Sequence, residues 1–155
     1  MVPFRCIPID SATAARFRET GLDDGGNRLH RQIADHPSPC RHCLAEAVPG
    51  QAVMLGSYHF GRPNGIYWTP SPIFVHAEDC PRFERLNVIP EIVRNRLVSV
   101  RAYDARDFCL YDLGDVSDGR EADALLDRCL SDPRTDFVNI HTARPGCFLC
   151  RAERA

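Results

Sequence analysis

The stretch Leu97-Val98-Ser99-Val100-Arg101-Ala102-Tyr103-Asp104-Ala105-Arg106-Asp107-Phe108-Cys109-Leu110-Tyr111-Asp112-Leu113 is typical of two β-strands joined by a tight turn. Residues 97–103 and 108–113 are rich in β-branched, aromatic and other apolar side chains, and the polar segment 104–107 lies between them. The pattern therefore predicts a β-hairpin.

Further short strands are expected on both sides of this hairpin. They are predicted at residues 4–9, 52–60, 73–76, 137–141 and 147–152. Strands joined by tight turns, with helices between them, are typical of an α+β fold, here a mainly antiparallel sheet with two to four short helices. No internal repeat, low-complexity tract or linker interrupts the chain, so we expect residues 1–155 to form a single domain.

Two longer helices have recognisable start and stop signals. One is predicted to begin at Asp10 or Ser11 and to end at Gly21. The other covers residues 119–131 and carries one apolar stripe, made of Ala122, Leu125, Leu126, Cys129 and Leu130. A brief helix is expected to start at Pro90.

The segment Ser38-Pro39-Cys40-Arg41-His42-Cys43 predicts the first turn of another helix, because Ser is favoured at the N-cap and Pro at the first helical position. Residues i and i+3 share a helix face, so the thiols of Cys40 and Cys43 could reach one ion or one another. A helix N-terminus favours thiolate over thiol. Thiolates bind metals or exchange disulfides, so this pair marks a candidate site.

A zinc site would form if this pair met further Cys and His residues. His76 and Cys80 make a second segment, and Cys147 with Cys150 a third. Residues i and i+3 of a strand face opposite sides, so only one sulfur of the third segment can join, and we choose Cys147 because it follows Gly146. Zinc takes four Cys or His ligands in tetrahedral geometry. The candidate ligands are Cys40, Cys43 and Cys80, with either His76 or Cys147.

The cysteine pair leaves two functions open. In one, the chain is a small binding or structural domain that holds zinc. In the other, it is an enzyme, a cytosolic thiol-disulfide oxidoreductase with Cys40 as attacking thiolate, Cys43 as resolving thiol and His42 lowering the pKa of Cys40. A thioredoxin-like site follows a buried apolar strand, which residues 29–37 do not resemble. Burial alone accounts for the remaining cysteines, which are Cys6, Cys109, Cys129 and Cys150.

The loop 61–70 is a third candidate surface. It places Arg62 near Tyr67 and Trp68, and Trp68 is the only Trp in the chain. Since Arg clamps anions and aromatic rings stack, this loop suits an unknown small molecule or a protein partner. Alternatively, Tyr67 and Trp68 fold back and pack the loop itself.

Composition excludes several function classes. The net charge is −2, which gives no long-range attraction for nucleic acid or an anionic membrane. All 19 Lys+Arg positions are Arg, which excludes the Lys-dependent P-loop and Schiff-base mechanisms. No run approaches the roughly 18 apolar residues of a membrane span, and residues 1–6 have no signal-peptide character. We therefore expect a cytoplasmic protein, whose eight Cys would not form a disulfide framework.

Several segments resemble the bacterial family labelled domain of unknown function 1203. They are Phe4-Arg5-Cys6, Pro39-Cys40-Arg41-His42-Cys43-Leu44, Ser71-Pro72-Ile73-Phe74-Val75-His76-Ala77 with Cys80, Val100-Arg101-Ala102-Tyr103-Asp104, and Gly146-Cys147-Phe148. The resemblance covers essentially the whole chain. It implies a bacterial origin and a compact fold, and it implies no activity.

Overall fold

The structure, a computed structural model, describes residues 1–60 and 65–155. The strands are β1 (Phe4–Ile7), β2 (His30–Ile33), β3 (Ser38–Pro39), β4 (Glu46–Ala47), β5 (Ala52–Tyr58), β6 (Ser71–His76), β7 (Leu97–Tyr103), β8 (Asp115–Asp118), β9 (Phe137–Thr142) and β10 (Phe148–Arg154). The helices are α1 (Ser11–Thr20), α2 (Glu91–Arg94) and α3 (Ala122–Ser131), with a 3-10 turn at Gly119–Glu121 before α3. The fold is α+β and rich in antiparallel sheet, as predicted. None of the helices in the described part of the chain is long and apolar enough to cross a membrane.

The strands form three sheets. The largest has five strands in the order β1-β10-β9-β7-β8, the second has three in the order β2-β5-β6, and β3 pairs with β4. Cys40, directly after β3, forms a parallel bridge to Phe74 of β6. The Phe148 N–H donates to Ser71 Oγ over 2.9 Å. The first contact joins the two small sheets to each other, and the second joins β6 to β10 of the large sheet.

The larger hydrophobic core lies between one face of the five-stranded sheet and α3. Leu126, Cys129 and Leu130 of the helix pack there with Val100 and Ile140 of the sheet. The helix predicted at 119–131 is confirmed, and its first turn is 3-10 rather than α. A helix with a single apolar face can pack against one face of a sheet. This is why the apolar pattern of residues 119–131 was sufficient to predict α3.

The smaller core lies under α1. Ala14 and Phe17 of this helix pack with Ile73 and Val75 of β6 and with Cys40. The predicted helix is confirmed, since α1 begins after Asp10 and ends at Gly21, whose φ of 66° is left-handed. Because Cys40 belongs to this core, the candidate sulfur site lies at its edge.

The prediction of a second hairpin strand at residues 108–113 is wrong. Only Cys109 of residues 108–113 bridges β7, at Tyr103, and β8 is the strand that pairs along β7. The intervening chain turns inward and buries Leu113 in the larger core. A Cβ at Gly114 would lie 2.6 Å from the Val100 carbonyl oxygen, so the close return to β7 requires the glycine that follows the turn.

Candidate metal centre

The Cys40–Cys43 segment is a turn, not the predicted helix. The Arg41 N–H donates to the Phe74 carbonyl over 3.0 Å, so the chain is still held by β6 where the helix should begin. The Leu44 N–H donates to the Cys40 carbonyl, and the Cys40 N–H donates to the Ala45 carbonyl, each over 3.0 Å. Leu44 closes the turn with a φ of 54°, which non-glycine residues rarely adopt. Pairing with β6 therefore overrides the local helix signal, and the turn still brings the two thiols together.

Four side chains converge at this turn. The Sγ atoms of Cys40, Cys43 and Cys80 and one ring nitrogen of His76 all lie within 4.8 Å of one another. Cys40 Sγ is 3.9 Å from Cys80 Sγ, and Cys43 Sγ is 3.5 Å from His76 Nδ1. Tetrahedral zinc with the usual bond lengths places two sulfurs about 3.8 Å apart and a sulfur and a nitrogen about 3.6 Å apart. The observed spacings match both values.

The structure brings together four of the five candidate ligands. Cys147, the alternative to His76, lies outside this group and precedes β10. Its N–H donates to Thr142 Oγ1 over 2.9 Å, which ties it to the turn between β9 and β10. His76, by contrast, ends β6, the strand beside Cys40. The strand order thus favours His76 as the fourth member.

Three N–H groups point at the sulfurs. The His76 backbone N–H donates to Cys40 Sγ over 3.4 Å, and Arg18 Nη2 donates to Cys80 Sγ over 3.3 Å. The ring of His42 lies between Ser11 Oγ, 2.9 Å from Nε2, and Cys80 Sγ, 3.3 Å from Nδ1. Burial lowers the pKa of His42, which favours the neutral ring. With Ser11 donating to Nε2, Nδ1 carries the proton toward Cys80. Such donors stabilise a thiolate.

A hydrogen bond to Gln51 orients the ring of His76. Its Nε2 lies 3.2 Å from Gln51 Oε1, an amide oxygen that can only accept. Nε2 therefore carries a proton, and Nδ1 is the ring nitrogen that faces Cys43 and would bind a metal. Metal-binding histidines are oriented in this way by a partner on the other ring nitrogen.

The pKa values of Cys40, Cys43 and His76 are shifted in different directions by the hydrogen bonds among them. Hydrogen bonds from Cys43 and Cys80 lower the pKa of Cys40 far below that of an ordinary thiol. Hydrogen bonding to Cys40 correspondingly raises the pKa of Cys43. Hydrogen bonds to Cys40 and Cys80 raise the pKa of His76 to about 10. Without a metal, the imidazolium ring supplies positive charge next to a thiolate, and a divalent cation would replace that proton.

Burial of Cys40 does not favour the oxidoreductase interpretation. The residue is 0% exposed, so a disulfide of another protein has no path to its sulfur. None of the eight cysteines is in a disulfide. Nothing in the described residues supports thiol-disulfide exchange at this site.

Sequence reasoning missed two of the supporting residues. Arg18 lies in the last turn of α1 and Gln51 precedes β5, both far along the chain from the sulfur and ring that they contact. No motif links them to the cysteine pair. Their roles follow only from the packing of α1 and β5 against β6.

The remaining cysteines lie apart from this group. Cys6, Cys129 and Cys150 are buried in the larger core, as expected, and Cys109 is half-buried. Burial raises the pKa of Cys129 to about 11. These thiols are packed as small apolar groups.

Comparison with known proteins identifies the family of this chain. No curated protein and no solved structure matches the chain. A family model described as "Protein of unknown function (DUF1203)" matches residues 37–154, a range that contains all four converging side chains. Because this match covers most of the 155 residues, the chain belongs to the DUF1203 family.

Proposed function

We propose that this chain is a small α+β binding or structural domain in which Cys40, Cys43, His76 and Cys80 hold one zinc ion. The observation that carries the proposal is the convergence of their four ligand atoms within 4.8 Å. Three thiolates and one imidazole are a soft donor set of the kind that selects zinc. The N–H groups directed at Cys40 and Cys80 add the outer contacts that such a site needs.

The zinc ion would have a structural role. Four protein ligands complete a tetrahedron and leave no position for a substrate or water. The ion would join the turn after β3 to the end of β6 and to the following loop. Since β3 and β4 have only two residues each, a metal crosslink would supply order that their hydrogen bonds cannot.

A reducing compartment fits the same proposal. All eight cysteines are free, and three of them would be held as zinc thiolates. Zinc-thiolate sites and unpaired thiols persist where disulfides are kept reduced. A bacterial cytoplasm is the location that we propose.

Metal analysis tests the proposal directly. Protein produced with zinc in the growth medium and purified without added metal should contain about one equivalent by elemental analysis. Cys43→Ser removes one ligand at a half-buried position and should abolish stoichiometric zinc. Cys147→Ser is the matched control, because Cys147 is also half-buried and lies outside the group. Cobalt substitution should give the absorption bands of tetrahedral thiolate coordination in the wild type and in Cys147→Ser only.

Two results would reject the zinc site. One is wild-type protein with less than about a tenth of an equivalent of zinc that also takes up no cobalt. The other is equal metal content in Cys43→Ser and Cys147→Ser, both confirmed as folded by circular dichroism.

A further inference from the structure

The face of the five-stranded sheet that points away from α3 lines an open cleft of about 330 Å³. Strand register places Arg101, Asn139 and Arg151 side by side across β7, β9 and β10, and all three line the cleft. Ligand sites have volumes of about 300–1,000 Å³, so this cleft suits a small molecule. It lies outside the metal group, with which it shares no residue.

Aromatic rings form the walls of the cleft. Phe60 stacks on Phe148 with ring centroids 4.2 Å apart, and Tyr103 stacks on Phe137 at 5.0 Å. The remaining aromatic members are Tyr58, Tyr67 and Trp68. Tyr67 and Trp68 thus do fold back toward the sheet, while Arg62 of the candidate surface lies outside the described residues. These rings supply apolar surface for a further ring, although the Arg151 guanidinium also covers Phe137.

Arg101 carries positive charge at the floor of the cleft. Its Nε donates to Ser99 Oγ over 3.2 Å, and no carboxylate of the described residues forms an ion pair with it. Arg151 differs, because its Nε lies 2.6 Å from Glu153 Oε1 and its guanidinium lies 3.8 Å above the Phe137 ring. Arg101 is therefore the cation of the floor that a ligand can neutralise.

Two uncharged donors of the cleft lining also lack partners among the described residues. Asn139 is 9% exposed, and its side-chain amide has no hydrogen bond to any other residue that the structure describes. Trp68 Nε1 is buried and likewise has no partner among the described atoms. Buried donors are almost always hydrogen-bonded in native proteins. An acceptor bound to Arg101 would also accept from Asn139, the register partner of Arg101.

The acidic residues of the lining limit the charge of the ligand. Asp10 and Asp136 are exposed, so they lie at the mouth of the cleft. These carboxylates would repel a polyphosphate or another multiply charged anion. A single negative charge reaching past them to Arg101 remains favourable.

We infer that the cleft binds a small aromatic monoanion, such as an aromatic carboxylic acid, with the carboxylate on Arg101 and Asn139 and the ring between the aromatic walls. A guanidinium can bind a carboxylate through two parallel N–H donors. The stacked pairs supply the apolar area for the ring. This inference does not depend on the zinc site.

Titration with benzoate tests the inference. Trp68 is the only Trp in the chain, so intrinsic tryptophan fluorescence reports on the cleft alone. We expect a saturable fluorescence change at millimolar benzoate, together with a shift of the Asn139 side-chain amide in ¹⁵N NMR spectra. Benzamide lacks the charge and cyclohexanecarboxylate lacks the ring, so each should bind at least about tenfold more weakly than benzoate.

Variants locate the binding site. Arg101→Gln should weaken benzoate binding by about tenfold or more, because a charge-assisted hydrogen bond is lost. Arg120→Gln is the control, since Arg120 is exposed and paired with Asp118 outside the cleft. Circular dichroism and urea unfolding establish that each variant is folded. The inference fails if benzoate gives no saturable change, if benzamide binds as well as benzoate, or if a folded Arg101→Gln keeps wild-type affinity.

Discussion

Cys40 and Cys129 are equally buried, at 0% exposure, and their thiols have opposite properties. In the larger core, burial raises the pKa of Cys129 to about 11, and its Sγ donates to the Leu113 carbonyl over 3.3 Å. In the smaller core, hydrogen bonds from Cys43 and Cys80 lower the pKa of Cys40. Burial by itself therefore does not make a cysteine inert. The donors that surround the sulfur decide whether it is a packed thiol or a ligand.

Two histidines, His76 of β6 and His141 of β9, show a similar contrast in their pKa values. Hydrogen bonds to Cys40 and Cys80 raise the pKa of His76 to about 10. Burial and the charge of Arg101 lower the pKa of His141 to about 4. Burial therefore keeps the His141 ring neutral, whereas hydrogen bonds to thiols outweigh burial at His76.

Chelation should produce the largest effect. Removing zinc from the wild type should lower the free energy of unfolding by about 5 kcal/mol or more, because metal binding is coupled to folding of the turn and the loop. Thermal melts with and without a chelator measure this. Cys129→Ala should show the same chelator-dependent shift, and Cys40→Ala should show none. A wild type whose melting does not respond to chelator, despite measured zinc loss, would contradict the structural role.

Acid should destabilise the protein through His141. The neutral ring donates from Nδ1 to the Gly146 carbonyl over 3.0 Å. The pKa of His141 is about 4 in the fold, below its ordinary value of 6.5, so only the unfolded chain takes up a proton between these values. Stability is therefore full above pH about 6.5 and falls by about 3 kcal/mol as pH drops to about 4. Urea unfolding across this range measures the slope.

The variant His141→Phe isolates this contribution. It removes the titrating group and keeps a ring against Phe60 and Phe148. The difference in unfolding free energy between wild type and variant should be constant above pH about 7 and should shrink below pH about 6.5. Acid-driven zinc loss affects both proteins and cancels. A difference that is independent of pH would show that folding does not shift the pKa of His141.

Arg18→Gln should weaken zinc binding without removing a ligand. The change deletes the N–H donor to Cys80 Sγ, and loss of such an outer contact lowers metal affinity by about tenfold to a hundredfold. Competition with a chromophoric chelator measures the affinity. Arg16→Gln on the same helix is the matched control, because Arg16 pairs with Asp24 and does not contact the group. Equal affinities for the two variants would mean that the Arg18 contact does not support the site.

Cys129→Ala should have the smallest effect. It leaves a small cavity under α3 and removes the hydrogen bond to Leu113, at a cost of roughly 1 kcal/mol in unfolding free energy. Zinc content should equal that of the wild type. Urea unfolding and elemental analysis of the same preparation measure both quantities. Loss of zinc in this variant would mean that the two cores are not independent.

Local signals in the sequence were sufficient for the two longer helices, α1 and α3. Gly21 ends α1 in the left-handed conformation, and the stripe of α3 has the period of a helix. Strands β5, β6, β9 and β10 were also recognised, within a few residues of their ends. The strands β2, β3, β4 and β8 were missed. Neither β2 nor β8 has an alternating burial pattern, and β3 and β4 have two residues each.

The sequence by itself determined the fold class, the two longer helices and the residue types that make a sulfur site, since caps, stripes and Cys-x-x-Cys spacing act over a few residues. Only the tertiary structure decided the backbone conformation of Cys40 and Cys43. The bridge from Cys40 to Phe74 holds this segment in a turn instead of the expected helix. The tertiary structure also brings His76, and not Cys147, to the three other side chains of the group. That choice depends on which strand lies beside Cys40, and strand order is set by packing over the whole chain.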